Sequence, residues 1–480
     1  MGSQATDSHS GAILMSKVNS GRPSRKLIPG ILVLIIVGWF LSFNASHIPS
    51  LAASPLVSDA SLLDYRHLSS HCENISTIGI LEYTARQTAL AKTLHALNAS
   101  AYIAEPGANT HFYGNFSKTQ WHLSERPLLL IISPVTSESR DGQEIRPRVT
   151  VLTPKFETTR ARMLPVPSPS GVIHYVEWAE EENPYAAALS VLPLPTAGSS
   201  KPHTIFVDNS IRKFIVDGLL RASEPQKDST VPAVEVLSAP LDITQMRERK
   251  SETELQILKC ANEATLLAIR EVHKNLYPGI RESQARSMMA SALGAAGLKD
   301  GGCLTLFGEN AALPHGSGTD RTLAKSDFAL FDCTASLHGY YSDVTRTVAL
   351  SSEGISSEQL DIWRMVQSAQ SIALAVAIDG TVTSTVDTAA RAILEIGGYE
   401  RYFTHRLGHG IGLEVHEAPY LRGGSNDIIR TGHTFSDEPG IYIEGKVGVR
   451  LEDCFYINED GFGVYLTEGV GGQSKDPWNP

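Results

Sequence analysis

The sequence has little cysteine, no excess of basic charge and no compositional bias. Five cysteines in 480 residues exclude a disulfide-dense scaffold. An odd number also leaves at least one thiol unpaired within the chain. Lys and Arg total 41 against 52 Asp and Glu, a net charge of −11. Nucleic-acid binding needs a basic footprint, which this chain lacks. Hydrophobic residues at 42% and charged residues at 19% exclude a disordered or collagen-like chain. The length allows a large core and, at ~150 residues per domain, two or three domains.

What is there begins with an N-terminus unlike the rest. Residues 1–26 are polar and carry Lys17, Arg22, Arg25 and Lys26. Residues 27–43, LIPGILVLIIVGWFLSF, hold no charge. Such a run reads as a short membrane span, with the positive flank holding the N-terminus in the cytoplasm. The expectation is a cytoplasmic tail (1–26), an uncleaved signal anchor (27–43) and a stalk (44–76), giving a type II membrane protein with a luminal or extracellular body. The alternative is secretion after cleavage near Ser50-Leu51-Ala52. Four N-x-S sequons, at Asn44, Asn74, Asn98 and Asn115, point the same way as glycosylation candidates.

After the stalk, a helical stretch at 83–97 and apolar runs at 101–105, 128–134, 149–154 and 203–208 alternate as in an α/β domain. Ser251 and Glu254 form a capping-box pattern ahead of a long amphipathic helix. An internal echo follows. Gly279, Ser283, Leu293, Gly297 and His315 recur 101 residues later as Gly380, Ser384, Leu394, Gly398 and His416. The order, turn glycine, helix, terminating glycine, histidine, predicts two related halves facing one cleft.

Three segments carry chemistry. In FALFDCTASLHGYYSDVTRTVAL, Asp332 and Asp343 flank a His338-Gly339 hairpin turn, so adjacent strands bring the two carboxylates into one space. FTHRLGHGIGLEVHEAPYL holds His405, His409 and His416 on a glycine-rich segment, where backbone approaches a ligand closely. SDEPGIYIEGKVGVRLEDCFYI holds Glu438 before a Pro-Gly turn, with Arg450 and Glu452 on one face of a strand. A buried acid there needs a partner or a metal; a plain Arg450–Glu452 ion pair is the structural alternative. Four carboxylates and an imidazole suit two divalent cations, Mn²⁺ first, with Zn²⁺ or Co²⁺ as alternatives. Opposite strand faces argue against a Cys333–Cys454 disulfide.

These motifs, D-x10-D-x-T-R-T, H-R-x-G-H-G-I-G-L-x-x-H-E, E-P-G-I-Y and G-V-R-x-E-D, resemble the pita-bread peptidase family of methionine aminopeptidase, aminopeptidase P, prolidase and creatinase. The nearest look is to the Xaa-Pro peptidases. The resemblance implies an α+β chain, with a creatinase-like N-terminal α/β domain (77–240) and a pita-bread catalytic domain (241–475) with an internal pseudo-two-fold. It implies Asp332, Asp343, His409, Glu438 and Glu452 as ligands of two metal ions. His315 and His416 would be substrate-side groups, with His405, Tyr442 and Arg450 in support. The implied reaction is two-metal hydrolysis of a bond preceding proline, with Glu438 as general base and then acid. Its partners would be a peptide substrate and, through the anchor, a membrane, with homodimerisation a family expectation. Two other readings stay open: a same-fold lyase or amidinohydrolase acting on a small metabolite, and a peptide-gripping module.

Overall fold

The computed structural model describes residues 63–139, 142–193, 203–224 and 234–480. Its first sheet has six strands: β1 (Ala99–Ala104), β2 (Leu129–Ser139), β3 (Gly142–Pro154), β4 (His174–Trp178), β5 (His203–Val207) and β6 (Val234–Ser238). The spatial order is β4-β3-β2-β1-β5-β6. Alternate residues of the central strands face opposite sides. Ala101, Ile103, Leu129 and Ile131 pack with Ala188, Ile215 and Leu219, from the helices Pro184–Ser190 and Lys213–Ser223. Tyr102, Leu130, Ile132 and Val149 pack with Leu90 and Leu94, from helix α1 (Ile80–Ala96). That second cluster continues into Ile257, Leu258 and Ile269, so the sheet rests on the rest of the body through shared apolar core.

Helix α2 (Glu252–Lys274) starts at the capping box. Ser251 Oγ accepts from the Glu254 N–H at 3.2 Å, and Glu254 Oε2 accepts from the Ser251 N–H at 2.9 Å. Helices α3 (Glu282–Ala295) and α5 (Thr383–Ile396) are offset by 101 residues, with α4 (Ser357–Val376) packed on α5. Gly279 and Gly380 precede them at φ 98° and 90°, and Gly297 and Gly398 end them at 81° and 76°. The echo thus marks two equivalent turn–helix units. The elements after them differ: a nine-residue strand on one side, a 3₁₀ turn on the other.

Strands β7 (Lys299–Phe307), β8 (Ala329–Leu337) and β9 (Tyr340–Val348) form one antiparallel sheet. His338 and Gly339 both take positive φ (51° and 87°), which suits a tight hairpin. A second sheet has the order β11-β10-β12-β15-β16. Its strands are β10 (Gly408–Gly410), β11 (Glu417–Leu421), β12 (Thr434–Asp437), β15 (Asp453–Ile457) and β16 (Gly463–Tyr465); β13 (Gly440–Ile443) and β14 (Val447–Arg450) pair alone. A bridge between Thr345 and Glu452 ties β9 to the second sheet. Glycine is required where β10 threads this sheet. A Cβ at Gly408 would lie 2.0 Å from the Ser436 carbonyl, and one at Gly410 2.5 Å from the Ala418 carbonyl. These glycines let strands approach one another rather than a ligand.

Several expectations change. Residues 63–76 are not a stalk: Tyr65 and Leu68 are buried, and Cys72 is disulfide-bonded to Cys260 on α2. Cys303 pairs with Cys333 across β7 and β8, and Cys454 is free and buried. Strands β4 and β6 were not foreseen. Residues 27–43 and Asn44 lie outside the described residues. The membrane expectation is withdrawn, and with it the anchor, the membrane partner and the type II placement. Among the described residues no helix is long and apolar enough to cross a membrane. Of the other sequon residues, Asn74 and Asn98 are exposed. The Asn115 amide donates to the Pro165 carbonyl (3.3 Å) and accepts from Tyr83 (2.9 Å), so it is engaged within the fold.

Candidate metal centre

The hairpin β8–β9 supplies Asp332 and Asp343, β10 supplies His409, the turn after β12 supplies Glu438, and the link between β14 and β15 supplies Glu452. All five expected ligands converge. Ligand atoms of Asp332, Asp343 and Glu452 lie within 4.8 Å of one another, as do those of His409, Glu438 and Glu452, and those of Asp343, His409 and His416. His409 Nε2 is 3.3 Å from Glu438 Oε1 and 3.7 Å from Asp343 Oδ2. Its Nδ1 sits 3.0 Å from the Gly410 carbonyl, which can only accept. A ring proton therefore lies on Nδ1, and Nε2 is the ring atom that faces the carboxylates.

The supporting shell is continuous. Arg450 donates from Nη2 to Asp332 Oδ2 at 2.6 Å and from Nη1 to the Tyr442 hydroxyl at 2.9 Å. The guanidinium thus orients Asp332 rather than forming the plain Arg450–Glu452 pair. Tyr442 in turn donates to His405 Nε2 at 2.8 Å, since His405 Nδ1 donates to the Arg406 carbonyl at 2.7 Å. Thr345 Oγ1 donates to Glu452 Oε2 at 2.6 Å. His315 and His416 are exposed, and His315 lines a cavity of about 560 Å³ with Asp332, Leu304, Ser317, Thr334 and Arg286.

Electrostatics test whether these residues suit cations. Burial pushes the Asp343 and Glu452 carboxyls well above the ordinary range, and the charges of Asp332 and Glu438 push them further. Burial also raises Glu438, but the His409 hydrogen bond and charge outweigh it and bring that carboxyl to about 2. Burial and the nearby His409 charge lower His416 to about 4, which keeps its imidazole neutral near pH 7. Four crowded carboxylates opposed by the Arg450 guanidinium need more positive charge. An oxygen-rich set with one imidazole fits divalent cations.

Sequence reasoning missed the layer behind the site. Asp437 and Asp453, neighbours of Glu438 and Glu452, pair in register on β12 and β15 and point away from it. Fully buried Arg346 donates to Asp453 at 2.8 Å, while both carboxylate oxygens of Asp437 lack a hydrogen-bond partner. The acidic doublets Asp437-Glu438 and Glu452-Asp453 were the available signal, since successive strand residues face opposite sides. Lys250 and Arg247, paired with Glu417, had no such signal.

The model of metallopeptidase family M24 matches residues 256–459. An uncharacterized peptidase of Schizosaccharomyces pombe is 32% identical over 403 residues, 83% of each chain. The Xaa-Pro dipeptidase of Lactobacillus delbrueckii is 38% identical over 226 residues, 46% of this chain and 60% of that one. The crystal structure of a prolidase from Thermococcus sibiricus superposes with a TM-score of 0.66 at 25% identity, covering 82% of this chain and 98% of the other. The α+β pita-bread expectation holds. The chain belongs to metallopeptidase family M24.

Proposed function

We propose that this metal-dependent peptidase hydrolyses the peptide bond preceding proline, acting on Xaa-Pro dipeptides or removing an N-terminal residue before proline. One observation carries the reading: Asp332, Asp343, His409, Glu438 and Glu452, from separate strands and turns, bring possible ligand atoms together in overlapping groups within 4.8 Å, with His416 beside Asp343 and His409 and with His315 lining a cavity that Asp332 also lines. The likeness to a named Xaa-Pro dipeptidase and a prolidase supports the proline preference. The proposed ligands are Asp332, Asp343, His409, Glu438 and Glu452, holding two ions, Mn²⁺ first. The same reading divides the chain near residue 240 into an N-terminal and a catalytic domain.

Bound there, the cations supply Lewis-acid charge that acidifies water and polarises the scissile carbonyl. Glu438 takes the proton of the attacking water and returns it to the leaving proline nitrogen. His416, held neutral near pH 7, and His315 donate hydrogen bonds to the carbonyl oxygen as negative charge develops on it. Arg450 holds Asp332, and Tyr442 and His405 hold Arg450 in place. The X-Pro bond has no N–H at proline, so selection there uses the shape of the ring.

The test is a panel of Xaa-Pro dipeptides, Xaa-Pro-Xaa peptides and alanine counterparts, assayed with Mn²⁺ and with chelator. Cleavage before proline that chelator abolishes is expected. A metal-loaded protein that cleaves no X-Pro bond would instead favour same-fold chemistry on a small metabolite.

A further inference from the structure

His416 is exposed beside Asp343 and His409, with possible ligand atoms of the three within 4.8 Å, and among the described residues no group hydrogen-bonds its ring, which rests edge-on to His409 with centroids 4.2 Å apart. Its placement therefore depends on its loop. The next residue, Glu417, turns its carboxylate away from the cleft into a buried cationic pair. Lys250 Nζ lies 2.7 Å from Glu417 Oε1, and the two side chains are 2% and 3% exposed. Arg247 Nη2 is 3.3 Å from Glu417 Oε2 and also bridges to Glu414. Glu417 Oε2 further accepts from the Glu414 N–H at 3.4 Å, tying the loop to itself.

The cations are themselves fixed. Lys250 donates to the carbonyls of Arg247 (2.9 Å) and Glu248 (3.1 Å), just ahead of α2. Arg247 Nη1 donates to Asn109 Oδ1 at 3.0 Å, on the side of the first sheet. The loop leaves room only for glycine at 412, where a Cβ would lie 2.7 Å from both Glu417 Oε1 and Lys250 Cε. Burial alone would raise the Glu417 carboxyl, and the two cations hold it below its ordinary value. A buried ion pair is a poor source of stability but a good means of fixing geometry.

We infer that Glu417 is a positioning residue: clamped by Lys250 and Arg247, its carboxylate fixes loop 412–417 and so sets the His416 ring against the substrate carbonyl. This rests on the reading that His416 serves the reaction. The clamp also links the first sheet, through Asn109, to the cleft. Because His416 acts as charge develops, loosening its loop lowers kcat more than it changes KM.

The test is a mutant cycle at 25 °C on whichever panel peptide the native enzyme cleaves fastest. Glu417→Gln is expected to lower kcat about tenfold or more, with KM within about threefold and metal content unchanged. In a His416→Ala background the same change is expected to alter kcat by less than about twofold, because the residues act through one ring. Glu417→Gln leaves Lys250 buried without its counter-charge, so Lys250→Met with Glu417→Leu is the companion variant, expected to fold and show the same kcat loss. In metal-free protein, the ring ¹⁵N signal of His416, assigned by its loss in His416→Ala, is expected to broaden in both variants. Effects that multiply in the cycle, or an unchanged His416 signal and kcat in the companion variant, would overturn the clamp. A native enzyme that prefers a non-proline bond would refute the proposed specificity while leaving the clamp tested on that bond. If no peptide is cleaved, the His416 signal alone decides it.

Discussion

At the scale of the residue, the site is a concentration of negative charge that the fold holds in place. Asp343→Ala or His409→Ala is therefore expected to lose bound metal and activity together, measured by elemental analysis and turnover on one preparation. Full occupancy and full turnover in either variant would remove those residues from the ligand set. Arg450→Lys is subtler: a lysine cannot reach Asp332 and Tyr442 with two fixed prongs. A loss of metal affinity of about 10–100-fold is expected by titration. These side chains were legible because each belongs to a short motif with its own spacing. Glu417's partners were not: Lys250 and Arg247 lie some 170 residues upstream in an unpatterned turn and meet it only in the folded chain.

Charge crowding also sets a pH dependence. Asp343 and Glu452 have raised pKa values in the metal-free fold, so protonation favours that fold. Their contribution to stability is fully present below the unfolded carboxylate pKa and is lost as pH rises through the raised folded values. The gain in Tm on adding Mn²⁺ to metal-free protein should therefore grow as pH rises, and calorimetry across the range measures it. A gain that shrinks with rising pH would contradict the charge argument.

At the scale of the element, β10 is the critical strand. It carries His409 between β11 and β12, and Gly408 and Gly410 allow that fit. Gly408→Ala is expected to cost about 3 kcal/mol or to prevent folding, because the clash is with backbone that cannot swing aside. Gly424→Ala faces open space at φ 76° and should cost only about 1–2 kcal/mol, through that left-handed conformation alone. Denaturant titration of both variants separates the two causes. Helices read well from the sequence because caps and periodicity are local, as at Ser251 and in the paired glycines of α3 and α5. Strands β4 and β6 read poorly, because short strands at the edges of a sheet carry little periodic signal.

At the scale of the whole molecule, the described residues from 63 to 480 form one compact unit, and the disulfide Cys72–Cys260 ties its first segment to α2 across 188 residues. Cys72→Ser with Cys260→Ser should lower the unfolding free energy by about 2–4 kcal/mol under non-reducing conditions. Turnover at 25 °C should be unchanged, since neither cysteine lies in the site. Composition showed only that two disulfides were numerically allowed; the pairing follows from chain packing that no local pattern records. The apolar run at 27–43 shows the opposite risk, a strong local signal from which the membrane reading did not follow.

The central claim is that four carboxylates and one histidine hold metal for cleavage before proline. The most direct measurement is the ratio of kcat/KM for Ala-Pro over Ala-Ala, on one preparation first stripped of metal and then reloaded with Mn²⁺. Negligible turnover when stripped and a strong preference for Ala-Pro when reloaded are expected. Equal rates on the two dipeptides, or turnover indifferent to metal, would contradict it.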